Sequence, residues 1–276
     1  MAGDVRRPLL AQAVALALLL PGLGAAIGPT REAAIQETLE KIRANPAPFE
    51  PHVFHGGGAP ALPYRLFKPP GIAPGKSYPL VVFLHGGNGV GDDNLGQISG
   101  GNALGARLWL LPEIQATHPC FVLAPQAMHE WEETDLSGYI LLVAQAIDSL
   151  EKDLPIDRAR VYVTGQSSGG YGTWILTEHR PDLVAAAAPI CGGGVPAKAA
   201  AMKGVATWAF HGSDDQVVDP AESRRMIAAL KTAGGDPKYT EYPGRGHDVW
   251  NLAYTEPDFV PWLFAQHRAP VSPASP

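Results

Sequence analysis

The chain has little charge. Charged residues make up 17% of its 276 residues and the formal net charge is −6. No run of Lys or Arg is long enough to neutralise a stretch of phosphates, so nucleic acid is not an expected partner. Cysteine is nearly absent. The two present, Cys120 and Cys191, cannot build a disulfide framework, and even one bridge is disfavoured. Cys120 opens one expected strand and Cys191 closes another, which in a parallel sheet puts them near opposite ends and out of bridging reach. Two buried free thiols are expected. There is no internal repeat and no metal-ligand spacing. His52 and His55 stand isolated on an edge segment, and no metal or cofactor is called for.

The chain also lacks an apolar run of the roughly 20 residues that span a bilayer. The longest, Leu9 to Leu20, follows Arg6 and Arg7 and leads into Pro21 and the small residues Gly22 to Ala26. That order is the grammar of a signal peptide over residues 1–26, with an uncleaved anchor as the alternative. The Arg pair is too bare for twin-arginine export, and no cysteine follows to accept a lipid. A periplasmic or secreted protein without a stable membrane span is expected.

What is present suits one large core. Hydrophobic residues make up 46% of the chain, enough for a single α/β catalytic domain over residues 51–267. A short amphipathic helix, Thr30 to Ala44 with Thr30 as its N-cap, and a Pro-rich linker precede it. A frayed tail, 268–276, follows. Apolar β-branched runs alternate with helical stretches, the pattern of βαβ units in a mostly parallel sheet with helices on both faces. Strands are expected at Leu62–Lys68, Leu80–Leu84, Phe121–Ala124, Arg160–Thr164, Val184–Pro189, Thr207–Phe210 and Lys238–Tyr242. The clearest helices are expected at Tyr139–Lys152, Ser168–Glu178, Pro220–Thr232 and Glu256–Gln266. Only Cys191 to Val205 separate two of these strands, too few residues for a large cap domain. The cleft should be open.

Gly165-Gln166-Ser167-Ser168-Gly169 matches G-x-S-x-G, in which a serine sits on a tight strand-to-helix turn with its hydroxyl thrust outward. In a chain with 31 glycines the pentapeptide alone is a weak signal. Its setting is specific, because Val161 to Thr164 reads as a buried strand before it and Tyr171 to Leu176 as a helix after it. A serine hydroxyl needs a base, and histidine suits that task near neutral pH. Four histidines follow Ser167. His179 ends the following helix facing away, His267 is in the tail, and His211, at a strand end before Gly212, better serves the turn. His247, in the loop Pro243-Gly244-Arg245-Gly246-His247, can reach over the sheet edge. The acid that orients it comes from Ser213 to Asp219. Asp219 is better spent on a capping box with Pro220 and Glu222, and Asp248 is too close in sequence to reach the same ring. Asp214 and Asp215 remain. For the developing oxyanion, the Ser168 backbone N–H and the turn His85-Gly86-Gly87-Asn88 offer donors, with Gly87 preferred. Of Ser168 only the backbone N–H should matter.

These segments, together with Tyr78 to Gly87, Ala124-Pro125-Gln126, and the His211 and His247 regions, resemble the minimal α/β-hydrolases. That group includes dienelactone-hydrolase-like esterases, phospholipase/carboxylesterase proteins and prolyl-oligopeptidase-like peptidases. The resemblance runs nearly full length from Leu62. It implies an α/β-hydrolase fold, Ser167 as nucleophile, His247 as base, and oxyanion donors at Gly87 and Ser168. It also places Asp215, in His211-Gly212-Ser213-Asp214-Asp215-Gln216-Val217-Val218, as the acid. The family often has Pro where Asp219 stands. Trp131 and Trp250 are candidates to face the substrate, although packing explains an aromatic in such loops better. Asp92, Asp93 and Asn94 resemble a stretch in relatives that a solvated turn explains equally well. The implied activity is hydrolysis of a small-molecule or polymer-attached ester without a cofactor. A peptidase, or a non-catalytic glycan- or lipid-binding protein on the same scaffold, are the rival readings.

Overall fold

A computed structural model describes residues 29–45, 48–57, 60–132 and 138–268. The leader and the tail beyond Arg268 lie outside the described residues. Eight strands form one sheet in the order β1-β2-β4-β3-β5-β6-β7-β8. They are β1 (Glu50–His55), β2 (Ala61–Phe67), β3 (Tyr78–Leu84), β4 (Phe121–Pro125), β5 (Ile156–Gln166), β6 (Ala186–Ile190), β7 (Ala206–Gly212) and β8 (Lys238–Tyr242). β1 and β2 pair antiparallel, β2 pairs antiparallel with β4, and every pairing from β4 to β8 is parallel. This is the expected α/β-hydrolase architecture.

The central strands are apolar on both faces because both are covered, as parallel sheets require. Val81 and Phe83 of β3 join one core with Val122, Tyr162 and the C-terminal residues Leu252, Phe259 and Leu263. Leu80, Val82 and Leu84 face the other side, with Leu123, Val163 and the helix residues Ile140, Val143, Ile147 and Leu176. The two-residue alternation of the strand separates the two cores. At the sheet edges the pattern relaxes, and β1 leaves Glu50, Pro51, Val53 and His55 exposed.

Several elements depart from expectation for local reasons. β1 is an edge strand carrying His52 and His55, in keeping with the edge segment expected for them, but it pairs fully with β2. The first helix, α1 (Pro29–Ala44), already includes Thr30, so Thr30 is inside the first turn rather than its N-cap. Ile35 and Ile42 bury against the first core, and Arg31 pairs with Glu256, so α1 belongs to the catalytic body. The expected helix Glu256–Gln266 shortens to Phe259–Phe264, and a separate short helix, Trp250–Tyr254, precedes it. Pro257 disfavours helical geometry at Glu256 before it. The loop after β3 folds into short helical turns, including Ala103–Arg107 and Pro112–Thr117. Cys120 and Cys191 are buried and free, at opposite ends of the parallel strands. Among the described residues no helix is long and apolar enough to cross a membrane.

Candidate active site

The C-terminal ends of β3, β5 and β7 and the loop after β8 converge at one point. Ser167 lies between β5 and the helix Ser168–His179 with φ 56° and ψ −121°, a strained conformation for a side-chain-bearing residue. Its N–H donates to the Ile190 carbonyl at 2.9 Å, and its own carbonyl accepts from Gly170 at 2.7 Å. The flanking glycines are sterically required. A Cβ on Gly169 would stand 2.0 Å from the Leu84 carbonyl oxygen, and one on Gly165 would stand 2.3 Å from the Gly169 oxygen. The turn therefore pins the serine hydroxyl outward.

Ser167 Oγ is 2.8 Å from His247 Nε2, and His247 Nδ1 is 2.7 Å from Asp215 Oδ2. Nδ1 faces a carboxylate and so carries the proton, leaving Nε2 to accept from the serine. Asp215 Oδ1 accepts from the N–H groups of Val217 and Val218, each at 2.9 Å. Burial would raise the Asp215 pKa. The His247 ring and the two backbone N–H groups outweigh it and hold the carboxyl below its ordinary value. Asp214 is exposed and accepts from the Ser213 hydroxyl instead. Of the two acids the sequence left open, Asp215 is the one brought to His247.

The acid and base loops are laced together. The Asp214 N–H donates to the Arg245 carbonyl at 2.9 Å, and a Cβ on Gly212 would lie 2.1 Å from the Gly246 oxygen. Asp219 caps the following helix, Ala221–Thr232, through the Ala221 N–H at 2.8 Å. Only half of the expected capping box forms, because Glu222 pairs with Arg225.

On the oxyanion side, the Gly86 N–H donates to Asn102 Oδ1 at 2.8 Å, and Gly87 opens the single turn that follows. Gly86, Gly87, Ser167, His247, Val217 and Trp250 share a cleft of about 190 Å³ with Asn88, Gly101, Asn102 and Gln166. A larger hollow of about 670 Å³, lined by Phe67, Leu110 and Pro112 among others, lies at the opposite end of the strands. Neither Ser167 nor His247 lines it.

The two tryptophans part company. Trp250 borders the cleft, its ring edge-on to His247 at 5.7 Å. Trp131, a candidate for substrate contact, is fully buried and lies outside the cleft lining. Its indole N–H donates to the His85 carbonyl at 3.0 Å and its backbone N–H to Ser168 Oγ at 2.7 Å, so it ties the loop after β4 to the nucleophile turn. Ser168 Oγ also donates to Glu132 Oε2 at 2.8 Å, a role for the hydroxyl beyond the backbone N–H that the sequence assigned. Asp93 accepts from Leu95, Gly96 and Gln126, and Asn94 adopts a positive φ, so the Asp92 to Asn94 stretch is a built turn. Sequence reasoning also missed Asn102 and Val217. Val217 is 73% exposed at the cleft, and its signal was an apolar residue inside a polar loop.

Cys191, His211 and Asp215 place a thiol, an imidazole and a carboxylate within 4.8 Å of one another. Their chemistry is committed elsewhere. An ion there would have to strip Asp215 from His247, and burial pushes the Cys191 thiol pKa up, against the thiolate a metal needs.

Comparison with known proteins follows the same lines. A solved structure of a thermostable esterase superposes with a TM-score of 0.76 at 38% identity, covering 80% of this chain and 63% of that one. Poly(3-hydroxyalkanoate) depolymerase C of Paucimonas lemoignei is 34% identical over 127 residues, 42% of this chain and 28% of that protein. The bifunctional acetylxylan esterase/xylanase XynS20E of Neocallimastix patriciarum is 35% identical over 107 residues, 37% of this chain and 16% of its own length. The chain thus spans less than a third of the curated relatives it matches. The dienelactone hydrolase family model matches residues 73–254, a span that holds the nucleophile turn, the acid and base loops and the oxyanion turn. By that match, and by the fold that carries it, the chain belongs to the dienelactone hydrolase family.

Proposed function

We propose that this chain is an exported serine hydrolase that cleaves carboxylic esters through an acyl-enzyme. The observation that carries the reading is the unbroken chain from Ser167 Oγ to His247 at 2.8 Å and on to Asp215 at 2.7 Å. Ser167 Oγ attacks the ester carbonyl while its proton passes to His247 Nε2, and Asp215 stabilises the resulting imidazolium. The N–H groups of Ser168 and Gly87 take the oxyanion. The alcohol departs with the proton from His247. Water then repeats the sequence, yielding the acid and free Ser167.

The cleft of about 190 Å³ is smaller than the ~300–1,000 Å³ that encloses a drug-sized ligand. It suits the scissile ester and a short acyl group, leaving the alcohol portion over the surface beside Val217 and Trp250. Such a cleft can serve a small ester or one attached to a polymer. The names of the depolymerase and the acetylxylan esterase support the polymer-attached case. Export rests on the signal-peptide grammar of residues 1–26.

The deciding experiment uses purified protein, short nitrophenyl esters, chromogenic peptides and a fluorophosphonate probe. Ester turnover with labelling at Ser167, both abolished in Ser167→Ala, is the expected result. Peptide turnover without ester turnover would make it a peptidase. Neither turnover nor labelling would leave a binding protein on the same scaffold.

A further inference from the structure

His211 ends β7 beneath the triad and is fully buried. Its Nε2 lies 3.0 Å from the Val218 carbonyl oxygen and 3.2 Å from Asp215 Oδ2, the same oxygen that accepts from His247. Both neighbours of Nε2 are acceptors, so this nitrogen carries the ring proton, which it donates to the Val218 carbonyl while lying beside the carboxylate. On the other side, Nδ1 lies 2.8 Å from Ser223 Oγ, which is itself 2.9 Å from the Gly192 carbonyl oxygen. With the ring proton on Nε2, Nδ1 accepts from the Ser223 hydroxyl, whose single proton then does not serve the Gly192 carbonyl, and the ring is held at both ends by buried groups.

We propose that His211 is a positioning residue, a second imidazole that holds the Asp215 carboxylate from beneath and sets its orientation and basicity toward His247. The proposal rests on the triad reading above and adds a member that the triad does not include. A carboxylate turns easily about its last torsion, so its hydrogen-bond donors choose its plane. Two backbone N–H groups fix Oδ1. Oδ2 is shared between the two imidazoles, and the His211 N–H draws negative charge from it. A less basic Asp215 grips the proton on His247 Nδ1 less tightly.

Other charged or titratable groups face this pair. Cys191 at the end of β6 is kept protonated by burial, as is Tyr171 on the helix after Ser167. Glu241, opposite His211 on β8, is held as a carboxylate by Arg224 at 2.7 and 2.8 Å. None of these changes charge through the neutral range. Burial pushes the His211 pKa down, which keeps the ring neutral with its single Nε2 proton on the Val218 carbonyl beside the carboxylate.

The test compares His211→Leu, His211→Gln and His211→Asn with the parent on a short nitrophenyl ester across pH, folded fraction being checked by circular dichroism. Glutamine reaches far enough to place an amide N–H where Nε2 stands, whereas asparagine reaches only as far as Nδ1. In Leu and Asn, kcat should fall about 10- to 100-fold with KM little changed. The acid limb of kcat/KM should move up by roughly half to one pH unit. His211→Gln should return both toward the parent. An acid limb that stays in place, or a Gln variant no better than Asn, would overturn the proposal and leave His211 as packing. If the Leu variant does not fold, the Gln and Asn pair decides alone. Failure of the triad reading would show separately, as ester turnover that survives in Ser167→Ala.

Discussion

Asp215 is held on both oxygens, Oδ1 by two backbone N–H groups and Oδ2 by His247, with His211 Nε2 3.2 Å from Oδ2. An amide in its place must accept from Val217 and Val218 on one atom and therefore turns its NH₂ toward both rings. His247 would then be held in the wrong tautomer, with Nδ1 as acceptor and the proton on Nε2 facing Ser167. Asp215→Asn should fold and lose about 10⁴-fold in kcat, measured with a nitrophenyl ester. Ser168 is the opposite case. Its backbone N–H stays in place in Ser168→Ala, so kcat should remain within about tenfold of the parent. Its hydroxyl, however, is the acceptor of the buried Trp131 N–H. Losing that hydrogen bond costs about 0.5–1.5 kcal/mol, which thermal unfolding should record as a lowered Tm. A dead Ser168→Ala together with an active Ser167→Ala would reverse the assignment of the nucleophile.

The nucleophile turn stands where strand β5, the following helix and β3 approach most closely. With a Cβ added to Gly169 standing only 2.0 Å from the Leu84 carbonyl oxygen, neither strand nor helix can yield without breaking the sheet. Gly169→Ala should therefore give little soluble folded protein, a result read by expression and circular dichroism before any assay. The turn was legible in the sequence because its requirements are local, a buried β-branched run, two glycines and a helix start. The parallel strands were legible for the same reason, each being an apolar run bounded by turn residues. The acid was less so: spacing left Asp214 and Asp215 equal, and only the family resemblance favoured the one that the folded loop turns inward. Trp131 and Asn102 were illegible because their partners, His85 and Ser168 for one and Gly86 for the other, are distant in sequence. His211 was read as a turn residue because nothing near it shows that β7 ends against the triad. The later start of the last helix was written in the sequence at Pro257, which disfavours helical geometry at Glu256, where the helix was expected to begin.

At the scale of the whole molecule, the core needs a neutral His85. His85 lies wholly inside, donating from Nδ1 to the Gly86 carbonyl at 2.9 Å and accepting from the Ala127 N–H on Nε2 at 3.1 Å. Protonation would put a second N–H against the Ala127 donor, and burial pushes the pKa from 6.5 down to about 4. Between those values the unfolded chain binds a proton that the folded chain refuses. Folding stability should therefore fall as pH drops from above 6.5 toward 4, by roughly 3 kcal/mol from this residue at most. Two groups oppose it. Burial raises the carboxyl pKa values of Glu151 and Glu178, so the folded chain takes their protons first and gains stability as the pH falls toward their ordinary value. The His85 share is isolated by His85→Gln, whose amide oxygen can still accept from Ala127 but does not titrate. Urea midpoints at pH 7.5 and pH 5 should differ strongly in the parent and much less in the variant. Equal differences in the two proteins would mean that His85 is protonated in the folded state, and that acid sensitivity arises elsewhere in the molecule.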